Sequence, residues 1–353
     1  MAHKIYIDSG TSKSAKKEVL DDIENFDQKS NSSAWKRKYT ALLKLNQELR
    51  SALEFKDQVL KQPVKCDPWD LTSATFRKKV TKASPAVALS DWHVEELVTL
   101  EKTNGRNEYN LEVASRRIKR VMTRIPEYID RYCPMGKVLY VGVLGDFING
   151  WIHDLRETNL LTPIEAALFF EEQFLSGLST IRKPLKAVGI KKVVFIPKVG
   201  NHSRITVEKR DDNECETSYE WSCYHHCQRM LNTDPFYNTW LFSKAHRTEV
   251  EIHGHVTRWH HGHEMPGGKQ MVANVNRKIE EINASEPRRA NCDVFGHHHH
   301  YQEADNWLCN SSLVGFTGRS EKKAYHFEEP SQSFIVFSES RCKHHSVRIF
   351  ADD

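Results

Sequence analysis

No stretch of the 353-residue chain approaches the roughly 18 consecutive apolar residues that mark a membrane-spanning helix. The N-terminal Met1-Ala2-His3-Lys4-Ile5 has no apolar core of the kind an export signal needs. A cytoplasmic location is therefore expected. The chain is also short of net charge: 51 Lys and Arg against 47 Asp and Glu leave only +4. That excludes a strongly basic nucleic-acid coat, though not a local basic groove. No internal repeat is present. With no export signal, the eight cysteines are expected as free thiols in a reducing compartment. Hydrophobic residues at 39% against 28% charged provide for a real core and exclude global disorder.

The chain has two blocks of unlike texture, an N-terminal extension and a long alternating region. Residues 1–30 are polar and aperiodic. From Ser33 to Gln62 the pattern is helical: Trp35, Leu42, Leu45, Leu49, Ala52 and Val59 share one seam, which Lys38 and Lys56 interrupt. Two readings are open, a coiled coil that joins copies of the chain into a homo-oligomer and an amphipathic helix packed on its own domain. Pro63 ends it, and residues 63–85 read as a linker or docked arm. The expected division is 1–85 and 86–353.

Past Pro85, short apolar runs alternate with amphipathic stretches, which implies α/β layering. Strands are expected at Val87–Ser90, Lys137–Leu144, Lys192–Pro197, Asp293–Phe295, Trp307–Asn310 and Ser333–Phe337, with two more within Thr248–His261. Helices are expected at Arg116–Tyr132, Pro163–Leu185, Tyr219–Leu231 and Val272–Asn283. Cys223 and Cys227 would share one helical face. They have no matching second pair, so packing is favoured over a zinc site.

Histidine is the abundant residue. There are 19, and ten fall between His246 and His300. The residues directly after the apolar runs are more telling. Val87–Ser90 leads into Asp91-Trp92-His93, and Val138–Leu144 into Gly145-Asp146. Val193–Val199 leads into Gly200-Asn201-His202, and Val294-Phe295 into Gly296-His297-His298-His299. In α/β sheets ligand sites form beyond the carboxyl ends of strands, so residues far apart in sequence can converge there. Each motif alone is weak, since a strand ending in Asp is commonly a turn; the ordered set is specific.

Over residues 86–337 that order, Asp-x-His, Gly-Asp, Gly-Asn-His, His-Gly, Gly-His-x-His, resembles the calcineurin-like metallophosphoesterase superfamily. It is most similar to the bacteriophage-type, DNA-repair-exonuclease-like branch. Pro163-Ile164-Glu165-Ala166, Gly200 to Arg204 and Pro330-Ser331-Gln332 add to that likeness. The resemblance implies a four-layer metallophosphoesterase sandwich, two mixed β-sheets flanked by helices, with an N-terminal helical extension. It implies two divalent metal ions. Asp91, His93 and His299 would hold the first. Asp146 would bridge, and Asn201, His297 and one further histidine would hold the second. His202 would stand beside the scissile phosphate as proton donor. The further histidine is His261 or His253, each in a His-Gly-His pattern; His261 is favoured because Gly267-Gly268 and a helix come after it. A phage origin would place the chain in the host cytoplasm.

The chemistry fits independently. Two adjacent divalent cations can neutralise a phosphodiester and activate water at neutral pH, and mixed nitrogen and oxygen donors suit manganese first, with iron, zinc or nickel as alternatives. A histidine can protonate the leaving oxygen. Arg204 is a candidate phosphate contact, and Asn149, His153 and Asp154 are candidates for the cleft rim. His298 and His300 would point away from the metals if their segment is extended. The expected function is a metal-dependent phosphodiesterase, a nuclease with nucleic acid as its partner and substrate; Arg77, Lys78, Lys79 and Lys82 offer backbone contacts. The alternatives are a phosphoesterase for a small nucleotide, cyclic nucleotide or phosphoprotein, and a non-catalytic scaffold.

Overall fold

The computed structural model describes residues 40–41, 43–51, 53–54, 82–152, 158–208, 211–268, 270–323 and 325–352. The chain divides into two units, Met1–Lys78 and Lys79–Asp353. In the first, every described residue between 40 and 54 is helical and exposed. The rest of the helix expected at 33–62, and Arg77, Lys78, Lys79, His153 and Asp154, lie outside the described residues. No helix among those described is long and apolar enough to cross a membrane.

The second unit is built on two mixed sheets. The first contains β1 (Ala83–Leu89), β2 (Val138–Val143), β3 (Lys192–Pro197), β4 (Thr239–Trp240), β10 (Ser331–Ser338) and β11 (Lys343–Phe350), in the order β11-β10-β1-β2-β3-β4. β1 to β4 run parallel, and β10 and β11 are antiparallel. The second contains β5 (Thr248–Ile252), β6 (His255–Trp259), β7 (Cys292–Phe295), β8 (Gln302–Ala304) and β9 (Trp307–Cys309), in the order β5-β6-β7-β9-β8. Here β6, β7 and β9 are parallel.

Period-two alternation sorts the strand residues into layers. On β1, Val87 and Leu89 face the helices, whereas Ala86 and Ala88 face the second sheet; on β10, Phe334 and Val336 divide from Ile335 and Phe337 in the same way. Helices α1 (Leu111–Tyr132), α2 (Pro163–Ala187) and α3 (Tyr219–Leu231) cover the outer face of the first sheet through Ile118, Ile125, Phe170, Phe174 and Tyr224. Helix α4 (Met271–Ser285) covers the second sheet by packing Val275, Ile279 and Ile282 on Phe295 and Trp307. Helix, sheet, sheet and helix make four layers. Trp259, fully buried between the sheets, fills the space over Gly142, where a Cβ would lie 2.7 Å from its ring. Truncating it to alanine would cost about 3–5 kcal/mol.

Local signals set the helix ends. The Asn110 side chain accepts the Val113 N–H and starts α1 five residues before the expected Arg116. Thr162 and Glu165 form a reciprocal capping box with Pro163 in the first turn of α2, an arrangement that satisfies two N–H groups the helix leaves open. Strand β1 begins at Ala83, inside the stretch read as linker, because Ala83 to Ala88 pair with β10. Strands β4, β8 and β11 and the short helix α5 (Gly318–Lys322) were not expected. The seven described cysteines are free, and Cys223 and Cys227 are buried in the helix-facing core.

Candidate metal centre

Five parallel strands from both sheets end at one place. The turns after β1, β2 and β3 are stitched by Leu144 N–H to the Leu89 carbonyl (2.8 Å), Asp91 N–H to the Gly145 carbonyl (3.0 Å), His93 N–H to the Asp146 carbonyl (3.1 Å) and Lys198 N–H to the Val143 carbonyl (2.8 Å). The turns after β6 and β7 are joined by Gly296 N–H to the His261 carbonyl (2.7 Å).

Two groups of side chains result. Asp91, His93 and His299 form one, and Asp146, His261 and His297 the other, with the donor atoms of each group within 4.8 Å of one another. In the first, the Nε2 atoms of His93 and His299 are 3.1 Å apart, and His299 Nε2 is 3.3 Å from Asp91 Oδ1. In the second, His261 Nε2 is 2.9 Å from Asp146 Oδ2 and 3.1 Å from Asn201 Oδ1. Asp146 Oδ1 accepts the His202 N–H at 2.8 Å, and the His202 ring centroid is 4.8 Å from that of His93. His253 is elsewhere: it sits at the β5–β6 turn, with Nε2 3.1 Å from Ser84 Oγ. Arg204 is half-buried, its backbone bridged to Ser218.

The backbone is strained here. Asp91, His93, Asp146, His297 and His299 have φ of 55°, 42°, 53°, 71° and 60°, a region costing a non-glycine residue on the order of 1 kcal/mol or more. Such outliers persist where surroundings over-determine them. Asp91 Oδ2 accepts from Ser90 Oγ at 2.5 Å and the His297 N–H at 3.0 Å. Asn310 in turn donates to Ser90 Oγ at 2.9 Å. Gln332 accepts the Ser90 N–H and the Trp92 ring N–H and donates to the Ser90 carbonyl. Gly200 and Gly296 allow the backbone to approach the two aspartates: a Cβ on Gly200 would lie 2.0 Å from Asp146 Oδ1, and one on Gly296 2.3 Å from Asp91 Oδ2.

Two buried glutamates were missed by sequence reasoning. Glu220 on α3 accepts from the Phe147 N–H (2.6 Å), the Gly200 N–H (2.9 Å) and the Ser203 hydroxyl (2.9 Å), and so ties the Asp146 turn to the His202 turn. Glu95 accepts from the Asn149 and Gly150 N–H groups. Glu220 on its helix and Glu95 in its turn each read as solvated charges; only the tertiary packing buries them. The residues between the paired histidines also differ from expectation. Residues 297–300 are a bend rather than a strand. His298 is turned away by the hydrogen bond from its Nε2 to the Met265 carbonyl (3.1 Å), and His300 by Glu328 (2.9 Å).

The electrostatics ask for a cation. Burial pushes His93 down to about 4 and His297 to about 3, so both are neutral donors. Burial would also lower His261, but Asp146 outweighs it and lifts the imidazole to about 10. Burial raises Asp91, yet His299 and His261 hold it at about 2. Two acceptors face His261 Nε2, two imidazole nitrogens face each other across Asp91, and the buried Nδ1 of His297 has no hydrogen-bond partner among the described residues. His261 Nδ1 donates to the Leu144 carbonyl at 2.7 Å, which would leave Nε2 as the ligand atom once an ion replaces its proton, as second partners of metal-bound histidines do. The mixed nitrogen and oxygen set fits divalent transition ions.

No known family profile matches the sequence, and no curated protein is significantly similar to it. Solved structures are similar at low level. An archaeal phosphodiesterase is 11% identical over 75% of this chain and 99% of its own, with a TM-score of 0.34. A predicted phosphoesterase from Streptococcus pneumoniae is 12% identical over 76% and 98%, with a TM-score of 0.27. Zinc-bound Vps29 from Entamoeba histolytica is 11% identical over 75% and 99%, with a TM-score of 0.27.

Proposed function

We propose that the chain is a metal-dependent phosphodiesterase of the calcineurin-like metallophosphoesterase type, and that its substrate is DNA or RNA. The observation that supports this most is the pair of Asp/His groups at the carboxyl ends of β1, β2, β6 and β7. Asp91, His93 and His299 would hold one divalent ion; Asp146, His261, His297 and Asn201 would hold the other, with Asp146 shared. Manganese suits this donor set, and iron, zinc or nickel would also fit. Bound ions would supply positive charge to the phosphate and lower the pKa of water.

The chain's own residues do the rest. The Leu144 carbonyl keeps His261 in one tautomer. The His202 backbone N–H holds Asp146 Oδ1, which leaves the His202 ring to give a proton to the leaving oxygen. Arg204, two residues on, is assigned to a substrate phosphate.

A panel with manganese tests both levels: single- and double-stranded DNA, RNA, cyclic nucleotides and a bis-aryl phosphodiester. Cleavage of a polymer supports the nuclease reading. Cleavage of the aryl diester and a cyclic nucleotide but of no polymer replaces it with a small-substrate phosphodiesterase. No metal-dependent cleavage of any of them removes both.

A further inference from the structure

A third group of donors lies beside the second one and takes no part in the proposed hydrolysis. Glu214 comes from the loop between β3 and α3, His246 from the loop between β4 and β5, and His263 from the turn after β6. Their donor atoms lie within 4.8 Å of one another. Glu214 Oε2 is 3.2 Å from His246 Nδ1 and Oε1 is 3.1 Å from His263 Nε2, so one carboxylate faces two imidazole nitrogens. The two rings stand at 88° with centroids 4.8 Å apart, an arrangement in which they converge on a point without stacking.

The surroundings resemble the outer support of a metal site. Behind His246, its other nitrogen Nε2 is 2.8 Å from Glu264 Oε2, and Glu264 Oε1 is 3.0 Å from His260 Nδ1 and 3.6 Å from Arg247. A carboxylate this near the far nitrogen raises the basicity of the near one through its charge. Both loops are clamped: the buried Lys198 ammonium donates to the Ser243 and Ala245 carbonyls, and Lys244 pairs with Glu216 at 2.5 Å. The donors are therefore held in place by contacts that do not depend on one another.

We propose that Glu214, His246 and His263 bind a third divalent ion, zinc by their chemistry. Two histidines and one glutamate are a recurrent zinc set that leaves a fourth position for water or a substrate oxygen. The site adjoins the binuclear one: the His263 ring centroid is 5.8 Å from that of His261 and 6.3 Å from that of His297. An ion there would add positive charge beside the centre formed by Asp146, His261 and His297.

The test is metal content. Full-length chain, Glu214→Gln and His246→Gln are stripped, loaded with zinc, desalted and measured by mass spectrometry. Each variant should hold one equivalent less than the wild type, whatever the occupancy of the other sites, and Asp146→Asn should retain the third ion. With cobalt, the wild type should show visible tetrahedral bands that both variants weaken. Equal zinc content in wild type and variants overturns the proposal, as does loss of the third ion in Asp146→Asn. Circular dichroism checks folding, and two variants in separate loops keep the comparison decisive if one misfolds.

Discussion

His93 and His299, 206 positions apart, place their Nε2 atoms 3.1 Å from each other beside the Asp91 carboxylate. Two imidazole nitrogens meet this way only around a shared proton or a cation. With a bound ion, folding would be coupled to occupancy, because the donors are brought together only in the folded chain. Removing metal with a chelator should lower the unfolding free energy. At free metal a thousandfold above its dissociation constant, the loss is about 4 kcal/mol per site, and it should be restored by adding the ion back. Denaturant titration with and without chelator measures it; identical midpoints would mean that no ion is held.

Gly200 is where the backbone comes closest to Asp146. Alanine there would put a methyl 2.0 Å from Oδ1 and 2.3 Å from the Asp146 backbone nitrogen. Gly200→Ala should fold with a penalty of about 1–3 kcal/mol, and should lose metal and activity together. Retained metal at wild-type affinity would show that the turn has room to relax.

His202→Ala separates proton transfer from metal binding. Its side chain is in neither donor group, and the backbone N–H that holds Asp146 remains. Metal content should be unchanged, while turnover falls roughly 10²–10⁴-fold and KM moves little. Loss of metal in this variant would mean that the ring is itself a ligand.

Glu220 makes the metal-free chain sensitive to pH. Burial raises its carboxyl to about 7 from an ordinary 4.5, and the Asp146 charge adds to the rise against three hydrogen bonds. Between those values the folded chain keeps a proton that the unfolded chain has lost, so stability falls as pH rises through that window. Glu220→Gln removes this titration. The stability advantage of wild type over the variant should be greatest at the acid end and shrink toward neutral pH. A difference that does not change with pH would contradict the assignment.

How much of this was legible depended on how each residue advertises itself. The run Lys192–Pro197 and helix Tyr219–Leu231 match their observed bounds, because continuous apolar strands and 3.6-residue periods are written locally. The polar, half-buried strand β11, with His344 and His345 in it, lies at a sheet edge and has no such period. The Asp/His groups could be read because each donor comes just after a buried strand that tertiary structure then aligns. Glu214, His246 and His263 sit in irregular loops, where no pattern says which loops meet. Glu220 looks like any charged helix residue until Gly200, Phe147 and Ser203 close on it.

In the proposed centre, Asp146 joins two metal positions in one phosphodiesterase site. Hydrolysis of a bis-aryl phosphodiester by stripped protein, with and without added manganese, in wild type and in Asp146→Asn, measures this without intermediaries. Activity should require the ion, and the variant should lose at least about 100-fold (an order-of-magnitude expectation) and bind fewer ions. Full activity in Asp146→Asn, or hydrolysis that does not respond to metal, would contradict a binuclear centre bridged by Asp146.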